Sequence, residues 1–261
     1  IRRSWLDSSG MFEILLIPAF KDNYIWLLVR DGRAAVVDPG DPLPVTERLE
    51  ALGLRLETIL ITHHHADHQG GVAALVERWQ AEVFGPGNES ITGCNRPLSG
   101  GETIMVLDQS VRVLPVPGHT LGHLAYYVPG ALFCGDTLFG AGCGRLFEGT
   151  PAQMSASLSR IAELPDDTKI YCAHEYTEAN LRFALAVEPE NKALLDRVRR
   201  VAALRSASLP SIPSTLAEER ASNPFLRCSQ PAVIAAADEH GATGHSPVAV
   251  FTAIRQWRNG F

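Results

Sequence analysis

His63-His64-His65-Ala66-Asp67-His68 is the stretch whose residue types and spacing are best suited to chemistry. His63, His65, Asp67 and His68 place four metal-capable side chains directly behind the apolar run Ile59-Leu60-Ile61. One cation cannot easily exhaust such a set, and further donors follow at His119, Asp136 and His174, each trailing an apolar, strand-like run. His63, His65 and His119 make one three-imidazole set, and Asp67, His68 and His174 make a second. Asp136, with two carboxylate oxygens, is able to bridge them. Three protein ligands plus a shared carboxylate leave a coordination position open, as catalytic sites do and structural sites do not. Imidazole with carboxylate suits two divalent ions, zinc best, with iron or manganese as alternatives. A lone histidine is more often a hydrogen-bonded core or surface residue, and a histidine run can be a purification tag. This run is internal, interrupted by Ala66 and Asp67, and joined to a strand and a glycine-led helix, so the metal reading prevails. His64, His240 and His245 are given no role. His123 stands where it could orient a ligand from behind, and Asp38 either does the same or shapes the turn with Pro39-Gly40.

These donors are remote in sequence, so regular elements must gather them. Residues 58–62 read as a buried strand ending at His63; 111–117 end at His119, 132–134 at Asp136 and 170–173 at His174. Each polar residue thus sits just past the carboxyl end of a strand, on one rim of a sheet, where a rigid scaffold presents catalytic loops. Residues 12–17, 24–30 and 34–38 are short apolar runs separated by Asp-Asn and Asp-Gly turn signals, which predicts an antiparallel meander. Helical spacing marks 46–52 and 71–80. Thr150-Pro151-Ala152-Gln153 supplies a capping threonine, proline at the first helical position and glutamine three residues after the cap. From about residue 176 the character changes. Residues 178–187 and 190–204 are amphipathic, Thr215-x-x-Glu218 can form another capping box, and Ser246-Pro247 opens a last helix. The class is α+β, with helices outside sheets and a helical C-terminal region over 176–261.

Composition narrows the function. A net charge of −6 argues against nucleic-acid binding, which needs a basic face, while leaving room for a local cationic patch. The five cysteines form no C-x-x-C pair and are odd in number, which favours a reducing compartment, the cytoplasm. No apolar stretch approaches the ~20 residues of a membrane span. Arg2-Arg3 could open an export signal, but Glu13 and Pro18 interrupt the apolar run that follows. Residues 1–10 are therefore read as an upstream extension or a cloning remnant and kept out of the fold argument.

The Thr-His-His-His-Ala-Asp-His segment, with Pro-Gly-His-Thr, Gly-Asp-Thr-Leu and a late strand-end histidine, resembles the metallo-β-lactamase superfamily. The stretch from Gly140 to Thr150 and Cys172-Ala173-His174-Glu175-Tyr176-Thr177, with the helical C-terminal region, narrow the resemblance to the glyoxalase II (hydroxyacylglutathione hydrolase) family. Asp22-Asn23-Tyr24 and Asn223-Pro224-Phe225-Leu226-Arg227 match it as well. The resemblance implies a four-layer αββα sandwich over 11–175, followed by a small helical glutathione-binding domain over 176–261. It implies two bound divalent metals, and S-D-lactoylglutathione as substrate of a monomeric enzyme. It carries substrate-binding roles onto Arg145, Phe147, Tyr176, Arg255 and Arg258. Arg255 and Arg258 have support of their own, since an i, i+3 spacing on the final helix turns both to one face. Phe147 departs from the tyrosine the family often has there, so affinity is expected to lean more on the arginines.

The expected reaction is thioester hydrolysis. Metals held through Asp67 and Asp136 share a water whose pKa falls towards neutrality, and the resulting hydroxide attacks the carbonyl. A metal stabilises the developing oxyanion, and glutathione thiolate leaves. The runner-up is an iron-dependent persulfide dioxygenase of the same superfamily, acting on glutathione persulfide. A β-lactam hydrolase and a non-enzymatic module with a vestigial site stand further back.

Overall fold

The computed structural model describes residues 12–261. The extension assigned to residues 1–10, and Met11 as the start of the first domain, lie outside the described residues. By proximity the chain falls into two compact units. One runs up to Leu114 and includes Tyr126–Val128; the other comprises Pro115–Ala125 and Pro129–Phe261.

The first unit is built on a six-stranded sheet. Its meander is β1 (Glu13–Ala19), β2 (Asn23–Arg30) and β3 (Arg33–Val37), antiparallel throughout as the turn signals predict. Helix α1 (Pro42–Leu52) then carries the chain to β4 (Arg55–Leu60), parallel to β3. The helix begins earlier than the expected residue 46. Asp41 caps it by accepting the Leu43 amide, and prolines are tolerated in a first turn whose amides have no intrahelical partners. After β4 come the one-turn helix α2 (Ala66–Gln69) and α3 (Val72–Trp79). Strands β5 (Glu82–Pro86) and β6 (Arg96–Leu98) extend the sheet in parallel. Leu27, Val36, Ile59, Val45, Leu49 and Leu75, from strands and helices alike, share one core. The hairpin of β7 (Thr103–Val106) and β8 (Gln109–Pro115) follows, then β9 (Leu124–Val128). Tyr126 on β9 donates its phenol to Ile61 O at 2.7 Å, which fixes the backbone just before the histidine run.

The second unit contains β10 (Ala131–Gly135), the short hairpin β11 (Leu138–Phe139) and β12 (Gly142–Cys143), and α4 (Pro151–Ala162). Thr150 and Gln153 make the predicted capping box. Strand β13 (Lys169–Cys172) lies parallel to β10 and is followed by α5 (Thr177–Val187) and α6 (Lys192–Ser206). Then come β14 (Ser214–Thr215), α7 (Leu216–Ser222), α8 (Pro231–Glu239) and α9 (Pro247–Gly260). The expected helical region after residue 176 is thus present. Thr215 caps α7 and Ser246 caps α9 through side-chain oxygens. Among the described residues no helix is long and apolar enough to cross a membrane.

Candidate active site

In the first unit the donors follow β4. The strand ends at Leu60; His63 lies in the turn beyond it, and α2 carries Asp67 and His68 with His65 at its cap. His63 and His68 are buried, their rings 4.1 Å apart between centroids. His63 Nε2 stands 2.9 Å from His65 Nδ1, so the two rings converge as ligands of one ion do. The rings are held from their other side. Thr62 Oγ1 contacts His63 Nδ1 at 3.0 Å, and Asp38 Oδ2 meets His68 Nδ1 at 3.0 Å. Asp38 also accepts the Thr62 amide and hydroxyl at 2.8 and 2.7 Å. One buried carboxylate just past β3 therefore contacts His68 directly and His63 through Thr62. Asn23 donates to Asp67 Oδ2 at 3.0 Å, giving the Asp-Asn turn a purpose beyond the hairpin. Gly40 is required for a steric reason: a Cβ there would lie 1.8 Å from Asp67 O. His64 turns to Glu89.

In the second unit Asp136 follows β10 directly. Its Oδ2 is 3.4 Å from His119 Nε2 and its Oδ1 is 3.4 Å from His174 Nε2. One carboxylate thus faces an imidazole with each oxygen, the disposition a bridging ligand needs. His119 is fixed through Nδ1 on Arg145 O at 2.8 Å. His123 Nε2 accepts the Asp136 amide at 3.2 Å, so it orients this residue through its backbone. The donor set fits divalent metal: imidazoles anchored at Nδ1 and carboxylates held by hydrogen bonds are what such ligands require.

A cavity of about 390 Å³ opens beside Asp136 and His119. All five residues expected to bind substrate line it: Arg145, Phe147, Tyr176, Arg255 and Arg258. Tyr176 stacks on His174 at 4.7 Å and 5°, and Phe147 meets His119 edge-on at 5.2 Å. Arg255 is buried and donates to Cys143 O at 3.0 Å. Burial, and then the positive charges of Arg255, Arg145 and Arg182, push the Arg258 guanidinium below its ordinary value. An anion in the cavity would relieve that repulsion. Cys143 also lines the cavity, as do Phe139 and Asn180, which sequence reasoning does not single out. The only sequence signal for them was the Gly140–Thr150 segment and the amphipathic α5. Burial pushes the Cys143 thiol up against the opposing pull of Arg255, which disfavours the thiolate that a nucleophile needs.

The fold and the clustered donors are those of a metal-binding hydrolase of the metallo-β-lactamase superfamily, whose sequence profile, described as "Metallo-beta-lactamase superfamily", matches residues 20–174. A profile described as "Hydroxyacylglutathione hydrolase C-terminus" matches residues 175–261. The chain is 70% identical over 265 residues to the hydroxyacylglutathione hydrolase of Dechloromonas aromatica, spanning 96% of this chain and 100% of that one. It is 56% identical to the hydroxyacylglutathione hydrolase of Methylobacillus flagellatus, with 96% and 100% covered. Among solved structures, ETHE1 from Myxococcus xanthus superposes with a TM-score of 0.63 at 27% identity, covering 83% of this chain and 84% of that one. The chain belongs to the hydroxyacylglutathione hydrolase family.

Proposed function

We propose that this protein hydrolyses the thioester of S-(2-hydroxyacyl)glutathiones, S-D-lactoylglutathione foremost, releasing glutathione and D-lactate as the second step of methylglyoxal detoxification. The observation that carries this reading is one cavity lined both by Asp136 and His119 and by three arginines, Arg145, Arg255 and Arg258. It suits a ligand with a reactive carbonyl at one point and carboxylates at another.

His63, His65 and His119 would hold one divalent ion, and Asp67, His68 and His174 the second, with Asp136 shared. Zinc suits these donors best, iron or manganese next. When bound, such ions supply an acidified water and a Lewis acid for the thioester carbonyl. The protein's own part is positioning. Thr62, Asp38 and Arg145 O fix His63, His68 and His119 through Nδ1, so that Nε2 is the nitrogen presented. Arg255, Arg258 and Arg145 bind tripeptide carboxylates, and Tyr176 and Phe147 pack against the chain. No strong general acid is needed, because a thiol of pKa ~8.5 is a competent leaving group. We place the enzyme in the cytoplasm as a monomer, in keeping with five free cysteines.

Loss of thioester absorbance with S-D-lactoylglutathione, alongside elemental analysis, tests the proposal. Hydrolysis with two metal equivalents per chain is expected; metal-loaded protein that leaves the thioester intact would overturn it. The persulfide dioxygenase reading has less behind it, because relatives matched along nearly the whole chain carry the hydrolase name. Oxygen uptake with glutathione persulfide would revive it.

A further inference from the structure

The wall of the cavity between β11 and β12 is held in an unusual way. At each of five consecutive residues, 139–143, a side chain from the helical region engages a backbone polar group. Asn223 Nδ2 donates to Phe139 O at 3.3 Å and to Gly142 O at 3.0 Å. Asn180 Nδ2 donates to Gly140 O at 3.1 Å, and Arg255 donates to Cys143 O. Glu219 Oε2 accepts the amide of Ala141, a non-glycine residue at φ +55°. The approach is close enough that a Cβ on Gly142 would stand 2.4 Å from Asn180 Nδ2.

Both helix-α9 arginines hang from this turn. Arg255 bonds its Cys143 carbonyl directly. Arg258 Nη2 reaches Asn180 Oδ1 at 3.4 Å, and that amide holds Gly140 O. Behind the turn lies a layer that does not line the cavity. Glu219 is fully buried; its Oε1 takes bonds from Arg197 Nη2 at 2.5 Å and Ser214 Oγ at 2.6 Å, and its Oε2 also accepts Asn223 Nδ2 at 3.0 Å. Arg197, 1% exposed, is tied in turn to Ser222 Oγ at 2.9 Å.

Resting on the function proposed above, we infer that Glu219 and Asn223 are positioning residues for substrate binding. They clamp the 139–143 turn by its backbone and so set where Arg255 and Arg258 meet the tripeptide carboxylates. A buried polar network of this kind specifies one geometry only while every member is satisfied. Each partner of the Glu219 carboxylate is a donor, so Glu219→Gln, though isosteric, turns an amide NH₂ towards another donor. Asn223→Ser is milder. Serine still caps the following 3-10 turn at Pro224–Leu226 but is too short to hold the turn's carbonyls.

The test is steady-state kinetics of both variants on S-D-lactoylglutathione and on S-D-lactoyl-N-acetylcysteamine, which lacks both tripeptide carboxylates. We expect KM for the tripeptide thioester to rise about tenfold with a smaller change in kcat. The preference for the tripeptide over the truncated thioester should fall, with metal content by elemental analysis as in the wild type. Unchanged KM and preference in a folded variant, or equal losses on both thioesters, would overturn the inference. If Glu219→Gln does not fold, Asn223→Ser decides. Wild-type protein that hydrolyses neither thioester would sink the functional reading and this inference together; active wild type with unaltered variants sinks this one alone.

Discussion

The histidine segment at 63–68 and the arginine-lined cavity achieve order in opposite ways. In the former the candidate donors are neighbours in sequence, launched from one strand end, and a single buried carboxylate, Asp38, backs two of them, His68 directly and His63 through Thr62. In the latter, Arg145, Tyr176 and the α9 pair Arg255 and Arg258 come from three separate segments, and the α9 pair is tied to side chains and backbone of the 139–143 turn. The difference teaches that the histidine segment is specified locally, whereas the cavity wall, like the remaining donors His119, Asp136 and His174, is specified tertiarily. Damage to the first should therefore be read in metal content, and damage to the second in KM.

Asp136 links the candidate metal donors to the cavity, since it faces His119 and His174 and also lines the cavity. Its loss should have the largest effect. Asp136→Ala is expected to deplete metal and lower kcat/KM by about a thousandfold or more, several kcal/mol of transition-state stabilisation. Elemental analysis with the thioester assay checks this, and full activity would remove Asp136 from the metal set. Asp38→Asn comes next. The amide still fills the space but cannot serve His68 Nδ1 and both Thr62 donors as the carboxylate does. Metal affinity should drop about 10- to 100-fold, as for other groups that orient metal ligands. Competition with a chelating dye measures it. A change confined to KM would erase the distinction between the two regions.

The same contrast explains what could be read from the chain. Donors placed after apolar runs were legible because β4, β8, β10 and β13 end within a few residues of His63, His119, Asp136 and His174. The Thr150 cap was legible because it is a local pattern. Strands β5 and β6 were not: Gly85, Pro86 and Pro97 read as turn residues, and only parallel pairing towards the sheet edge makes strands of them. The clamp on 139–143 was invisible for a stronger reason. Glu219 and Asn223 meet that turn across separations of 78 and more residues, and no short-range spacing announces such a meeting. Asn180 lay hidden in a helix whose amphipathic pattern accounts for its apolar face alone.

Two smaller effects sharpen the recognition side. Arg258→Ala removes a half-buried cation from the cavity and should raise KM about tenfold or more with little change in kcat, the mark of binding lost equally from ground and transition states. Metal content should not move. If kcat collapsed at constant KM, Arg258 would belong with the reacting centre.

Phe147→Tyr is the finest probe, because it adds a single oxygen. The ring is 62% exposed and rests edge-on against His119, so a new phenol has room at the cavity mouth and stays hydrated while the cavity is empty. A hydrogen bond it makes to the tripeptide replaces one to water, which limits the net gain to about 0.5–1.5 kcal/mol. KM should therefore fall about two- to tenfold at unchanged kcat. An unaltered KM would mean that the ring contacts His119 but not the tripeptide. A rise would mean that Phe147 acts by apolar packing which the hydroxyl disturbs. In either case the burden of affinity shifts further onto the arginines, and through them onto the turn that holds them.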